Sequence, residues 1–165
     1  MSEKTPGFDI AALKQEGEQS LARGMLHIYR VFNGATQRKY AERGYASLTT
    51  AHTLLIANLD LEGTRSVVLA ERMGMTKQFA GRLVAELRSG GYVTVEVDPT
   101  DGRATLVKAT PAGWQFLADA CEVRYEIEQS FEAVLGAERM AGLVEAIERL
   151  STIADSSGPM VELPI

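Results

Sequence analysis

The sequence has little of several features that would define its class directly. It contains one cysteine, so no disulfide can form within the chain, and such sparse use of cysteine fits a reducing compartment. No apolar run approaches the roughly 18–20 residues that are needed to span a bilayer. The opening MSEKTPGFDI has no apolar core of the kind found in secretory signals. We therefore expect a cytoplasmic protein without a membrane partner.

Positive charge is also scarce, because the formal net charge of the 165 residues is −5. The charge is unevenly distributed, however. Residues 64–110 carry seven basic and five acidic side chains, whereas residues 111–165 carry three basic and ten acidic ones. The acidity belongs to the last third of the chain, and the middle is mildly basic. The overall charge is therefore only a weak argument against a nucleic-acid partner.

Local motifs of the common enzyme classes are missing as well. The sequence has no GxxxxGK[ST], GxGxxG, GxSxG or HExxH motif, and no nucleophile stands at a local spacing from a base. The two histidines have no cysteine or carboxylate cluster beside them, which makes a poor metal site. We expect a protein that is not an enzyme and that has no cofactor or metal. The length and the hydrophobic content of 45% are ordinary for one globular domain.

Two apolar stripes at helical spacing lie near the two ends of the chain. The N-terminal seam consists of Leu21, Met25, Ile28, Phe32 and Ala35. The C-terminal seam consists of Met140, Leu143, Ile147, Leu150 and Ala154. Apolar positions that step by three and four residues mark one face of a helix, and two such faces exceed what a small middle domain needs to cover itself. We expect both seams to pack on partner helices.

The middle of the chain carries the most specific pattern. Arg65–Met73 predicts a short helix that a glycine ends, and Thr76 is placed to cap a second helix from Lys77 to about Ser89. Two helices joined by a tight glycine turn form a helix-turn-helix. The alternating runs 92–97 and 104–108, joined by a Pro/Gly/Asp turn, predict a hairpin. The predicted fold is therefore mainly α (α+β), with a winged helix-turn-helix between helical ends.

Polar side chains remain outside if the apolar positions of the second helix face the core. In DNA-binding helix-turn-helix proteins the first turns of this helix reach base edges in the major groove. Gln suits adenine, Lys and Arg suit guanine, and an aromatic ring suits the thymine methyl group. An arginine at the hairpin tip suits a narrow minor groove, and the helix N-terminus suits a phosphate. The candidate DNA-contact residues are Arg65, Thr76, Lys77, Gln78, Phe79, Arg82 and Arg103.

The hairpin and its flanks resemble the wing signature of the MarR family of bacterial transcriptional regulators. The resemblance rests on Asp98-Pro-Thr-Asp-Gly-Arg-Ala104, on the preceding Leu87-x-x-Gly90-Gly-Tyr-Val93 and on the following Ala109-Thr-Pro-Ala-Gly113, and it extends over roughly residues 20–155. It implies a homodimer with interleaved terminal helices, in which Asp101 supports the wing and Arg103 contacts the minor groove. The chain departs from the family pattern at Ala109, where leucine is usual, and in Phe79-Ala-Gly81, which lacks the usual hydroxyl residue.

The resemblance also predicts how the chain is divided. We expect an N-terminal dimerisation region at 1–46, the winged helix-turn-helix DNA-binding domain at 47–110, C-terminal dimerisation helices at 111–155 and a flexible tail at 156–165. The expected function is a homodimeric, sequence-specific regulator, a repressor that a small ligand releases from a pseudo-palindromic operator. The alternatives are a winged helix that binds only proteins and a regulator that senses oxidants through cysteine.

Members of the resembled family commonly bind small phenolic or lipophilic effectors in a cleft beside the winged helix. By this resemblance the candidate effector-binding residues are His27, Arg30, His52 and Trp114. Ordinary polar contacts between helices are the alternative for these side chains. Cys121 lies on a helical stripe with Trp114 and Leu117, with Ala118 and Tyr125 continuing it, and a buried cysteine on an apolar stripe is usually inert packing.

Overall fold

The computed structural model describes residues 20–156, and their side chains as far as residue 152. The elements in order are α1 (Leu21–Glu42), α2 (Thr50–Ala57), β1 (Thr64–Arg65), α3 (Ser66–Arg72), α4 (Lys77–Ser89), β2 (Val93–Asp98), β3 (Asp101–Ala109), α5 (Pro111–Leu135) and α6 (Ala137–Ser156). The chain is mainly helical with a small antiparallel sheet, as the sequence predicts. Most of the predicted tail, beyond Ser156, lies outside the described residues.

Helix α4 has the bounds and the cap that the sequence predicts. The Thr76 hydroxyl accepts a hydrogen bond from the Phe79 N–H at 3.2 Å, which satisfies one of the unpaired donors of the first turn. Gly74 lies in the turn before it with φ +59°, a left-handed backbone that glycine adopts without strain. Ala70 and Ala80 are both buried, so α3 and α4 pack closely. These contacts confirm the helix-turn-helix.

The sheet has the strand order β1-β3-β2, and both pairs are antiparallel. In β3, Val107 is opposite Val95 of β2 and opposite Thr64 of β1. The hairpin is confirmed, but the sequence did not predict β1. Arg65, predicted to begin a helix, is in fact the second residue of this strand. A strand of two residues is too short to produce an alternating pattern, so periodicity gives no signal for it.

Helix α5 buries a different face from the predicted one. The buried side chains are Phe116, Ala120, Val123 and Ile127, whereas Cys121 is exposed and Tyr125 is 59% exposed. The prediction that Cys121 is packed on an apolar stripe is therefore wrong for this chain. Both stripes step by three and four residues, and spacing alone does not decide which of two apolar stripes faces the core.

An aromatic cluster connects the ends of α1 and α4 with the start of α5. The Phe116 ring lies 5.3 Å from Tyr40, 5.0 Å from Tyr45 and 5.9 Å from Tyr92 between ring centroids, in edge and tilted arrangements that aromatic pairs favour. The Tyr45 hydroxyl donates to the Asp119 carboxylate, and this hydrogen bond, with burial, raises the pKa of Tyr45 to about 12. The cluster fixes the start of α5 against the winged helix.

The chain divides into two compact units after Ala120, within α5. In the first unit, Leu21, Met25 and Ile28 of the N-terminal seam are 75%, 58% and 53% exposed. In the second unit, Ile147 and Leu150 of the C-terminal seam are 52% and 54% exposed. Within residues 20–152, these positions of the two seams are therefore exposed to a large extent. None of the described helices has the length and apolar character needed to cross a membrane.

Candidate nucleic-acid interface

The first two turns of α4 present a polar surface. Lys77, Gln78 and Arg82 are exposed, Phe79 is half-buried, and Thr76 caps the helix from the preceding position. The opposite face of the helix is buried through Ala80, Leu83, Val84 and Leu87, as the sequence predicts. The helix therefore keeps its apolar side in the core and offers the predicted contact residues together on one surface.

Arg82 is contacted on two sides. Its guanidinium carbon lies 4.8 Å from the centroid of the Phe79 ring, a distance typical of a cation–π contact. Its Nε lies 3.6 Å from Oε1 of Glu86, one turn further along the helix. Arg82 is 63% exposed and Glu86 is 48% exposed, so the pair is an outer surface contact rather than part of the core.

Arg65 connects β1 to the wing. Its Nε and one terminal nitrogen both lie 2.6 Å from Oδ2 of Asp98, whose side chain is almost fully buried. The other oxygen of Asp98 accepts from the hydroxyl and the N–H of Thr100, at 2.7 and 2.8 Å. The hydrogen bonds from Thr100, with those from Arg65, lower the pKa of Asp98 to about 2. This carboxylate closes the wing turn and ties it to β1.

The resemblance assigns Asp101 to support of the wing, but Asp101 makes weaker contacts with Arg65 than Asp98 does. Its Oδ2 lies 3.9 Å from a terminal nitrogen of Arg65, and its Oδ1 accepts from the Arg103 N–H at 3.1 Å. The Arg103 side chain is exposed and makes no hydrogen bond or ion pair within the described part of the chain. The structure thus brings Arg65, Asp101 and Arg103 together at the wing, with Arg65 turned to the wing carboxylates.

Acid should weaken the wing through Asp98. Because folding lowers the pKa of Asp98 from 3.8 to about 2, its stabilising contribution is present above about pH 4 and is lost as the pH falls through 2. We expect Asp98→Asn to lower the urea midpoint of unfolding at pH 6. Between pH 4 and pH 2, the midpoint of this variant should fall less than that of the wild type. The half-exposed Asp101, with its longer contact to Arg65, is the matched control, and Asp101→Asn should change both much less. An acid profile unchanged by Asp98→Asn would contradict this assignment.

The sequence of the winged helix matches a known family. Residues 46–104 match the family model described as MarR family. This segment is similar to the MarR family. The match covers α2 to the start of β3 and includes both Thr76–Arg82 and the wing turn. The resemblance predicted from the wing signature is confirmed for this part of the chain.

Solved structures of MarR-family regulators extend the likeness beyond the matched segment. The apo form of MarR from E. coli is 17% identical, with a TM-score of 0.66 over 79% of this chain and 96% of that chain. PcaV from Streptomyces coelicolor, solved with its natural ligand, is 24% identical, with a TM-score of 0.62 over 82% and 96%. CouR from Rhodococcus jostii RHA1, bound to p-coumaroyl-CoA, is 18% identical, with a TM-score of 0.65 over 87% and 95%. No curated protein matches the sequence. At these identities the structures show a shared MarR fold.

The predicted effector residues of this MarR-type fold do not share one environment. His27 and Arg30 lie on an exposed part of α1, Trp114 is half-buried in α5, and His52 is buried in α2. A surface depression of about 420 Å³ is lined by Cys121, Glu122, Tyr125 and Glu126, and none of the four predicted residues lines it. Within residues 20–152, no three His, Cys, Asp or Glu side chains gather as metal ligands.

His52 has defined partners instead. Its Nδ1 accepts from the Thr49 backbone N–H at 3.0 Å, and its Nε2 lies 2.9 Å from Oε2 of Glu86. The reasoning from sequence did not single out Glu86 or Asp98, the two carboxylates that hold predicted contact residues. Asp98 is part of the wing signature, and a glutamate four residues after an arginine is a spacing at which the two side chains meet on a helix. Neither pattern shows which residue, distant in the sequence, each carboxylate contacts.

Proposed function

We propose that this chain is a cytoplasmic, homodimeric transcriptional regulator that binds a pseudo-palindromic operator and that a small ligand releases. The observation that carries the proposal is the pair of exposed contact surfaces, on the first turns of α4 and at Arg103 of the wing, on a winged helix of the MarR family. Side chains at these positions suit the major-groove bases and the minor groove, respectively. Residues 47–110 form the DNA-binding domain in this proposal.

The exposed apolar residues Leu21, Met25 and Ile28 of one seam and Ile147 and Leu150 of the other support the homodimer. Contiguous exposed apolar surface on a helix marks an interaction site rather than a solvent face. Segments 1–46 and 111–155 would supply this interface from both copies. A two-fold dimer would place two winged helices about one DNA turn (roughly 34 Å) apart, which matches a pseudo-palindrome. Doubling the contacts also compensates for the modest positive charge of residues 64–110.

A small phenolic or lipophilic effector is the proposed releasing ligand. Support comes from two proteins of the same fold, since PcaV was solved with its natural ligand and CouR with p-coumaroyl-CoA. His27, Arg30 and Trp114 remain predicted effector residues. His52 is a weaker candidate, because Thr49 and Glu86 already occupy both of its ring nitrogens.

Selection of bound duplexes from a random library tests the proposal directly. We expect an enriched motif with two inverted half-sites, and affinity for it that falls steeply as salt rises, because binding phosphates releases counterions. A winged helix that contacts only proteins would enrich no motif and would bind no duplex even at low salt. That result would remove the regulator proposal.

Arg103→Ala should weaken operator binding by at least roughly 30-fold, since each arginine contact to DNA contributes about 1–3 kcal/mol and the dimer loses two, about 2–6 kcal/mol in all. The fold should survive, because the Arg103 side chain is exposed and makes no hydrogen bond or ion pair with the described residues. Fluorescence anisotropy over a salt series measures the affinity, and a thermal scan checks the fold. Arg149→Ala is the control, because Arg149 is 81% exposed on α6 and its ion pair among the described residues is with Glu145, one turn earlier. Equal affinities of the two variants would exclude the wing from the contact.

A further inference from the structure

Arg82 of α4 is connected to the protein core through two further side chains. The chain of contacts runs from Arg82 to Glu86 on the same helix, and from Glu86 to His52 of α2. Each oxygen of the Glu86 carboxylate has a different partner, Oε1 facing Arg82 and Oε2 facing His52. Glu86 therefore links an exposed contact residue to a buried one.

His52 can act as a fixed anchor because its ring is held from the other side. The ring is buried, and its Nδ1 accepts from the Thr49 backbone N–H, which can only donate. In the neutral ring the proton consequently lies on Nε2 and is donated to Glu86. This arrangement also begins α2, since the His52 ring satisfies the backbone N–H of the N-cap residue. The carboxylate of Glu86 is thus held by a group that local backbone structure fixes.

The contacts of Arg82 leave the two terminal nitrogens of its guanidinium available to DNA. Glu86 faces Nε and Phe79 lies against the guanidinium plane. Among the described residues these are the two contacts of the guanidinium, and no side-chain hydrogen bond takes up its two terminal nitrogens, which carry four of the five N–H donors. An arginine presented in this way offers its two terminal nitrogens end-on, a geometry that fits the O6 and N7 acceptors of guanine.

We propose that Glu86 and His52 are positioning residues that orient Arg82 for end-on recognition of a guanine and thereby set the base preference of the operator at that position. The proposal rests on the DNA-binding function proposed above. A long arginine side chain otherwise loses much rotamer freedom on binding, and prior orientation reduces that loss for the matching base. A fixed orientation favours only the base whose acceptors lie opposite the two terminal nitrogens of Arg82. It therefore contributes to discrimination between bases.

Charge makes the effect of Glu86 on affinity opposite to its effect on specificity. A carboxylate beside the contact surface repels phosphates whatever the sequence of the duplex. Removing this charge should therefore strengthen binding to random DNA, while loss of the orientation of Arg82 weakens discrimination. Substitution of a residue that only maintained the fold would lower both the affinity for random DNA and the discrimination between bases. The two measurements therefore distinguish a positioning role from a purely structural one.

The test compares the base preferences of the full-length wild type, Glu86→Gln, Glu86→Ala and Arg82→Ala in the same random-library selection. Arg82→Ala identifies the operator position that Arg82 reads. At that position we expect Glu86→Gln and Glu86→Ala to reduce the guanine preference by about threefold to tenfold, with affinity for random duplexes raised about twofold. The glutamine variant keeps an acceptor for His52, so it remains a usable test if the alanine variant does not fold. Glu128→Gln is the matched control, because Glu128 is the acid of another Arg–Glu pair four residues apart, with Arg124 on α5.

His52→Asn separates the two roles of the histidine. The asparagine oxygen falls close to the position of Nδ1, so it keeps an acceptor for Thr49 while the donor to Glu86 is lost. This variant should show the same reduced guanine preference as Glu86→Ala. Unchanged preferences in both Glu86 variants, with a wild type that selects a motif, would overturn the inference and leave the proposed function standing. An Arg82→Ala variant that keeps every preference would overturn it too, and a wild type that selects no motif would remove both.

Discussion

Ile28→Glu is expected to produce a monomer and to weaken operator binding by at least about 100-fold. In the proposed dimer the N-terminal seam is covered by the second copy, so Ile28 would be buried there although it is 53% exposed in the single chain. A buried isoleucine contributes about 1.5–3 kcal/mol, and a two-fold interface loses it twice. Burying an unpaired carboxylate costs more than the lost apolar contact. Light scattering over a concentration series measures the mass, and anisotropy measures the affinity.

Leu61→Glu is the matched control for this substitution. Leu61 belongs to neither seam and is 83% exposed in the segment between α2 and β1, so the same change in charge and polarity should leave the dimer intact. If Ile28→Glu remains a dimer at micromolar concentration, the N-terminal seam is not the interface. A monomeric wild type would contradict the homodimer itself.

Gly113→Ala, at the start of α5, is expected to give the largest loss of stability of any single glycine-to-alanine change in the first unit. A methyl group on Gly113 would overlap the carbonyl oxygen of Tyr92 and lie 3.2 Å from its carbonyl carbon, and backbone cannot rotate away as a side chain does. That same oxygen accepts the Thr110 N–H at 3.0 Å, so the clash also displaces the start of α5. Overpacking of this kind costs about 1–3 kcal/mol or more, which for a chain of this size lowers the melting temperature by roughly 2–12 °C.

Gly81→Ala provides the comparison within the same unit. Gly81 lies in α4, and a methyl group there meets no other atom within 4 Å. Alanine forms helix better than glycine, so the melting temperature should stay the same or rise. A Gly113→Ala protein that melts within 2 °C (about the effect of less than 1 kcal/mol) of the wild type would show that the close approach of α5 to Tyr92 is not needed.

The local features of the fold could be predicted from sequence because short-range chemistry decides them. The cap at Thr76, the glycine turn before it and the buried face of α4 all follow from neighbouring residues, and the structure has each of them. The hairpin is predicted for the same reason, since a Pro/Gly/Asp turn joins two alternating runs. The family match rests on this same segment.

Features that depend on distant partners could not be predicted in this way. Arg65 and Asp98 are 33 residues apart, and nothing in their surroundings shows that they meet. The buried face of α5 depends on Tyr40 and Tyr45, which pack on Phe116 from far along the chain. For the contact residues, sequence identifies types and a common helix face, but the orientation of Arg82 depends on His52 of another helix through Glu86.

The strand order β1-β3-β2 has a mechanical consequence for the wing. Near its base β3 is hydrogen-bonded on both sides, through Val107 to β2 and to β1, whereas toward the turn it pairs with β2 alone. The hairpin is therefore expected to be more flexible toward its turn than at its base. Arg103 lies on the less constrained part of the hairpin, so in the proposed complex it would follow variations in groove width while α4 stays over the bases.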